Sequence, residues 1–223
     1  MDWVEKQAWA EREHELRSAA TGVVEREDLR LAGIAGASWA AGLAAAMAGD
    51  GSASAELLRR AADEYVTSWH AAPPRSWGRP IAALRCRLMA GDGSGVRGDA
   101  EAALLEGAPE GAGPIAAYCA ALAFLVLERD EEAAVQAERA AGEGLEPVAV
   151  AEALGALARR DSEELDRARR EVLRSFEERD AFLEDVPVAD TVLVIDALAR
   201  IRGLELPRLT SPLLPARDSF EAR

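Results

Sequence analysis

The chain has 223 residues, 49% of them hydrophobic and 30% charged, with a formal net charge of −14. That length and apolar content suffice for a sizeable core and rule out a disordered chain. The acidic balance repels phosphate backbones and anionic lipid, which argues against nucleic acid and membrane surfaces as partners and favours a basic protein.

The opening residues Met1-Asp2-Trp3-Val4-Glu5-Lys6 lack the basic start and apolar run of a secretion signal, so a cytoplasmic location is expected. Helix formers dominate, and no alternating β-branched run occurs, so an all-α fold is predicted. The first helix is predicted from Asp2 to about Ala20 and the second from about Glu27 to Met47, closed by Gly49-Asp50-Gly51. Inside the second, Leu31 to Gly49 runs nineteen residues without a charge, close to a bilayer-spanning length. Most of those residues are Ala, Gly and Ser, which contribute little to membrane insertion and suit close helix packing, so a buried helix is expected. A third helix is predicted from about Ser54 to Trp69, with Leu57, Leu58, Ala61, Ala62 and Tyr65 at core spacing. Pro73-Pro74 and Gly78 then break the chain.

Beyond the break the sequence repeats itself. Pro80-Ile81-Ala82-Ala83 returns as Pro114-Ile115-Ala116-Ala117, Pro147-Val148-Ala149-Val150 and Pro187-Val188-Ala189-Asp190, at spacings of 34, 33 and 40 residues. Each proline is expected to open a helix, where its fixed φ and missing N–H cost nothing. The first three helices should close at Gly91-Asp92, Arg129-Asp130 and Arg160-Asp161, with return helices such as Glu131 to Ala141 and Ser162 to Glu178. A proline-headed hairpin of about 34 residues is the unit of tetratricopeptide-type arrays, whose hairpins bury their faces only by stacking. The diagnostic Trp and Tyr positions of that family are missing, so the likeness is one of architecture. The prediction is an all-α fold of stacked antiparallel helical hairpins, TPR-like, with about nine to ten helices. Residues 1–72 form an N-terminal bundle, residues 78–206 pack on it as one continuous unit, and residues 207–223 form an extended tail.

Candidate chemistry is sparse. His14 and His70 are the two histidines and no HxxxH or CxxC occurs, so no metal or cofactor is expected. Cys86 and Cys119 fall at matching places in successive repeats and read as core residues of a reducing compartment. Gly91-Asp92-Gly93-Ser94-Gly95 lacks the Gly-Lys-Ser/Thr ending of a phosphate loop and reads as a flexible turn. No nucleophile motif is found, and adjacent carboxylates such as Glu131-Glu132 and Glu163-Glu164 read as solvated helix starts, so no catalytic residue is named.

Two partner-binding candidates remain. All five tryptophans, Trp3, Trp9, Trp39, Trp69 and Trp77, lie in the first 77 residues. Either they give bulk to an alanine-rich N-terminal core, or Trp69, His70 and Trp77 form a binding surface around the Pro73-Pro74 loop. The second candidate is the acidic segment Phe176 to Asp190, where Glu177, Glu178, Asp180, Glu184, Asp185 and Asp190 face a single cation, Arg179. Such a ridge docks a basic protein by steering, or is an ordinary polar loop.

The final segment runs from Glu163-Glu164-Leu165 through Phe176-Glu177-Glu178-Arg179-Asp180 to Pro187-Val188-Ala189-Asp190-Thr191-Val192-Leu193. It continues to Ala199-Arg200-Ile201-Arg202-Gly203-Leu204-Glu205-Leu206 and Ser211-Pro212-Leu213-Leu214-Pro215. This stretch resembles the immunity protein 49 family, all-α bacterial proteins that neutralise a toxin encoded beside them. The resemblance implies a toxin inhibitor, and the acidic charge would suit a basic nuclease as its target. The expected function is thus a non-enzymatic helical-repeat protein that binds a protein partner. The rival is an α-helical enzyme or ligand-binding protein with a carboxylate-lined cleft between bundle and repeats, using Asp63 or Glu64 with Trp69 and His70. A scaffold or homo-oligomer subunit is the third option.

Overall fold

Helices in this chain start and stop by repeated local devices. At two corners a glycine in the left-handed region ends one helix and the following aspartate caps the next: Gly49 (φ 86) with Asp50, and Gly91 (φ 66) with Asp92. Glycine takes this conformation without a Cβ penalty, and the aspartate carboxylate accepts an otherwise orphaned N–H of the first turn. Arg160 (φ 55) with Asp161 repeats the device with a residue that bears the steric cost. The Gly91 to Gly95 stretch is therefore a helix corner: Asp92 Oδ1 accepts from Gly95 N–H at 3.0 Å, and the next helix already begins at Gly93.

In a computed structural model that describes residues 1–20 and 26–216, ten α-helices and two 3-10 turns are the regular elements among the described residues. Three helices come first, α1 (Trp3–Ala19), α2 (Glu27–Ala48) and α3 (Gly51–Ala71). Then follow α4 (Gly78–Ala90), α5 (Gly93–Leu105), α6 (Pro114–Val126) and α7 (Asp130–Gly142). The last three are α8 (Val148–Arg159), α9 (Ser162–Glu177) and α10 (Asp190–Ile201). Residues 207–216 of the expected tail are non-helical, and residues 217–223 lie outside the described residues.

Helices α1 to α9 pack each on its successor, and α4, α6 and α8 also touch in turn. One hydrophobic core runs without interruption from Ala10 through Leu43, Leu84, Leu122, Leu154 and Ile195 to Leu214. Helix α2 is long and apolar enough to cross a membrane by length and composition, yet 72% of its apolar window is buried inside this protein. Its Ala and Gly residues let α1 and α3 approach closely. Cys86 and Cys119 are free and fully buried, and burial pushes the Cys119 thiol up to about 12 and that of Cys86 higher still.

The prolines behave unequally. Pro114 is the first residue of α6, Pro80 the third of α4 and Pro147 the residue capping α8. Pro187 opens nothing. It sits in an extended run before α10, where Ala189 N–H donates to the Leu213 carbonyl at 2.9 Å and Val186, Val188 and Ala189 are buried. An extended pairing with the tail takes the place of a helix start.

Helix α10 lies back against α4, α8 and α9. Three arginines fasten it. Arg85 of α4 bonds Asp190 and Thr191 at its start. Arg169 of α9 donates to Asp196 at mid-helix at 2.5 Å, to Asp166 at 2.7 Å, and to the Pro207 carbonyl. Arg202, just past its end, donates to the Leu125 carbonyl of α6 at 3.1 Å and to Asp130. The Arg169 and Arg202 side chains are buried, where guanidinium is retained only if paired.

Candidate functional site

Between α9 and α10 the chain crosses the molecule as a strap, residues 178–189, with a single 3-10 turn at Leu183–Asp185. Glu184 (φ 51) and Asp185 (φ 52) are consecutive non-glycine residues in the left-handed region, a conformation that costs energy at each. A latch to α1 holds it. Arg17 grips Glu184 through both carboxylate oxygens at 2.8 and 2.9 Å while also donating to the Gly33 carbonyl at 2.7 Å, and Lys6 donates to the Glu184 carbonyl at 3.0 Å. A Cβ on Gly36 would stand 3.0 Å from Glu184 Oε1, so glycine there leaves room for the latch. The Arg17 pKa is raised, first by its hydrogen bonds to Glu184.

The acidic segment predicted as one ridge therefore divides. Glu184 turns inward as the latch and is not part of an open face. Glu177, Glu178, Asp180 and Asp185 are exposed; Glu177 accepts from the Ser211 hydroxyl at 2.7 Å, and Glu178, Asp180 and Asp185 have no counter-ion among the described residues. Arg179 stacks over the Phe176 ring at 3.7 Å.

Interleaved with those carboxylates, Arg179, Phe182, Leu183 and Val186 of the strap line a cleft of about 280 Å³. Trp39, Ile115, Leu145, Val150 and Phe176 add apolar walls, and Tyr118, Arg85, Glu146, Asp190 and Thr191 supply its polar part beside Arg179. Burial works against the Arg85 charge, but Asp190 beside it more than offsets this, and the pKa is raised. Burial likewise raises that of Tyr118. Three of the exposed large apolar residues, Ile115 (47%), Leu183 (64%) and Val148 (44%), lie in or beside this cleft. None of these was singled out from the sequence; two apolar residues, Phe182 and Leu183, inside an acidic loop were the available signal.

The tryptophan candidates separate. Trp69 and His70 stack with ring centroids 6.1 Å apart, His70 exposed and Trp69 half-buried. Trp77 does not join them: it is buried, 6% exposed, with its indole N–H unpartnered. Its bulk fills the core beside the alanines. The carboxylates of the rival cleft are engaged elsewhere, Asp63 with Arg87 at 2.7 Å and Glu64 with His14 at 2.7 Å. Neither lines the cleft described above. Among the described residues no group of three His, Cys, Asp or Glu is placed to hold a metal ion. Comparison with protein-family models, with curated proteins and with solved structures gives no match.

Proposed function

We propose that the chain is a non-enzymatic, cytoplasmic binding protein of TPR-like stacked hairpins that holds a basic protein partner on the strap and its cleft. One observation carries the reading: exposed carboxylates without counter-ions among the described residues, Glu178, Asp180 and Asp185, alternate along one segment with side chains that line an apolar cleft. Polar rims around an apolar centre are the anatomy of protein interfaces. At about 280 Å³ the cleft has room for a bulky anchoring side chain. The net charge of −14 adds long-range steering toward a cation-rich surface. Within this reading, the likeness of residues 163–215 to the immunity protein 49 family makes the partner a toxin that the chain neutralises.

The test is co-expression with the products of the adjacent reading frames, followed by affinity capture and a growth-rescue assay. A chain with Glu177→Gln, Glu178→Gln, Asp180→Asn and Asp185→Asn should keep its helix content and lose capture. The unaltered chain should lose capture progressively as salt rises. Capture that ignores both the substitutions and salt would remove the strap as the docking site.

A further inference from the structure

We infer that the cleft is the anchor point for one bulky apolar side chain of a partner segment, flanked in that segment by lysine or arginine. The inference rests on the binding reading above and deepens it by naming what the site accepts. Inside the cleft the charges answer one another: Arg85 is bonded to Asp190 and Thr191. Arg179 and Glu146, exposed at its mouth, are one of each sign and add no net charge to the lining, whereas an apolar side chain covers the exposed faces of Ile115 and Leu183 and removes them from water. The rim is the reverse. Glu178, Asp180 and Asp185 are exposed carboxylates of one sign without cationic partners among the described residues, on the same short segment that supplies Phe182 and Leu183 to the cleft wall. Apolar centre and acidic rim together fit an apolar anchor between cations. A second copy of this chain fits poorly, since its net charge of −14 would meet a like charge.

The experiment is fluorescence anisotropy of the full chain with three labelled peptides, Lys-Lys-Phe-Lys-Lys, Lys-Lys-Ala-Lys-Lys and Ser-Ser-Phe-Ser-Ser, at low salt. The first should bind at least about tenfold tighter than the second, the difference expected for burying one aromatic side chain, and tighter than the third, whose flanks bring no cations to the acidic rim. Leu183→Asp and Ile115→Ser should each remove most of that advantage, and both positions are exposed enough for the fold to survive, which circular dichroism checks. Equal binding of the Phe and Ala basic peptides would overturn the anchor while leaving an acidic docking strap in place. Equal binding of the Ser-flanked and Lys-flanked Phe peptides would overturn the cationic flanks, and with them the basic partner. A dimer that dissociates on Leu183→Asp would overturn the inference by seating a second copy in the cleft.

Discussion

The strap and α10 are neighbours in sequence and both lie across helices from earlier in the chain, yet they are held by opposite means. Helix α10 buries Val192, Val194, Ile195 and Leu198 and is fastened by arginines that are themselves largely enclosed. The strap exposes half of its side chains, strains its backbone at Glu184 and Asp185, and is tied to α1 by a latch that is partly open to water. One is core that uses charge for register. The other is surface kept in place by charge, and low-stability surface is where binding segments are found.

The sharpest way to break this contrast is Arg169→Ala. Removing it takes a hydrogen-bond donor from Asp196, Asp166 and the Pro207 carbonyl and empties an enclosed side-chain site, and denaturant unfolding should register a loss of about 1–3 kcal/mol. A loss under about 1 kcal/mol would place α10 in the same class as the strap.

Acid titration sharpens the same point. Burial pushes the Asp166 carboxyl up, but Arg170 and Arg169 outweigh it, so its folded pKa lies below the ordinary value of about 3.9. A depressed carboxylate stabilises the fold above the unfolded pKa, and the contribution is lost as pH falls through the folded value. Asp166→Asn should therefore lower the melting temperature at neutral pH, and its difference from the parent chain should shrink below about pH 3.9.

Arg17→Ala should cost far less in global stability, about 1 kcal/mol or under, because the pair is partly exposed. Hydrogen exchange at residues 182–186 should nonetheless accelerate, while α10 amides keep their protection. Gly36→Ala tests the latch from the other side. The new methyl displaces Glu184, but the helix gains up to about 1 kcal/mol of propensity, so unfolding should change little and strap exchange should still speed up. Unchanged exchange in both variants would show that Glu184 does not hold the strap.

What was legible in the sequence is what depends on near neighbours. The Gly49-Asp50 and Gly91-Asp92 corners, the buried course of α2 and the proline at the head of α6 all follow from residues a turn or two apart. Pro187 misleads because its run pairs with Leu213, and nothing local announces a partner 24 positions beyond Ala189. The same physics divides the site. Glu178, Asp180 and Asp185 could be read as exposed charge from their company alone. Glu184 looks identical in sequence, yet its partner Arg17 is 167 residues away. The cleft draws on α2, α4, α6, α9 and the strap at once, so no window of sequence contains it.

Fastening α10 at both ends also sets a limit on size. Open helical arrays gain or lose hairpins freely, because each unit meets only its neighbours. Here Arg85 and Asp130 lie on different hairpins, and α10 must reach from one to the other with Asp190 at its start and Arg202 at its finish. An added hairpin between them would part these anchors by roughly the 8–10 Å of one helix layer, more than either side chain spans. Helix α10 thus acts as a measuring rod, and added hairpins should be refused anywhere from α4 to α9, the interval that holds all of its arginine anchors.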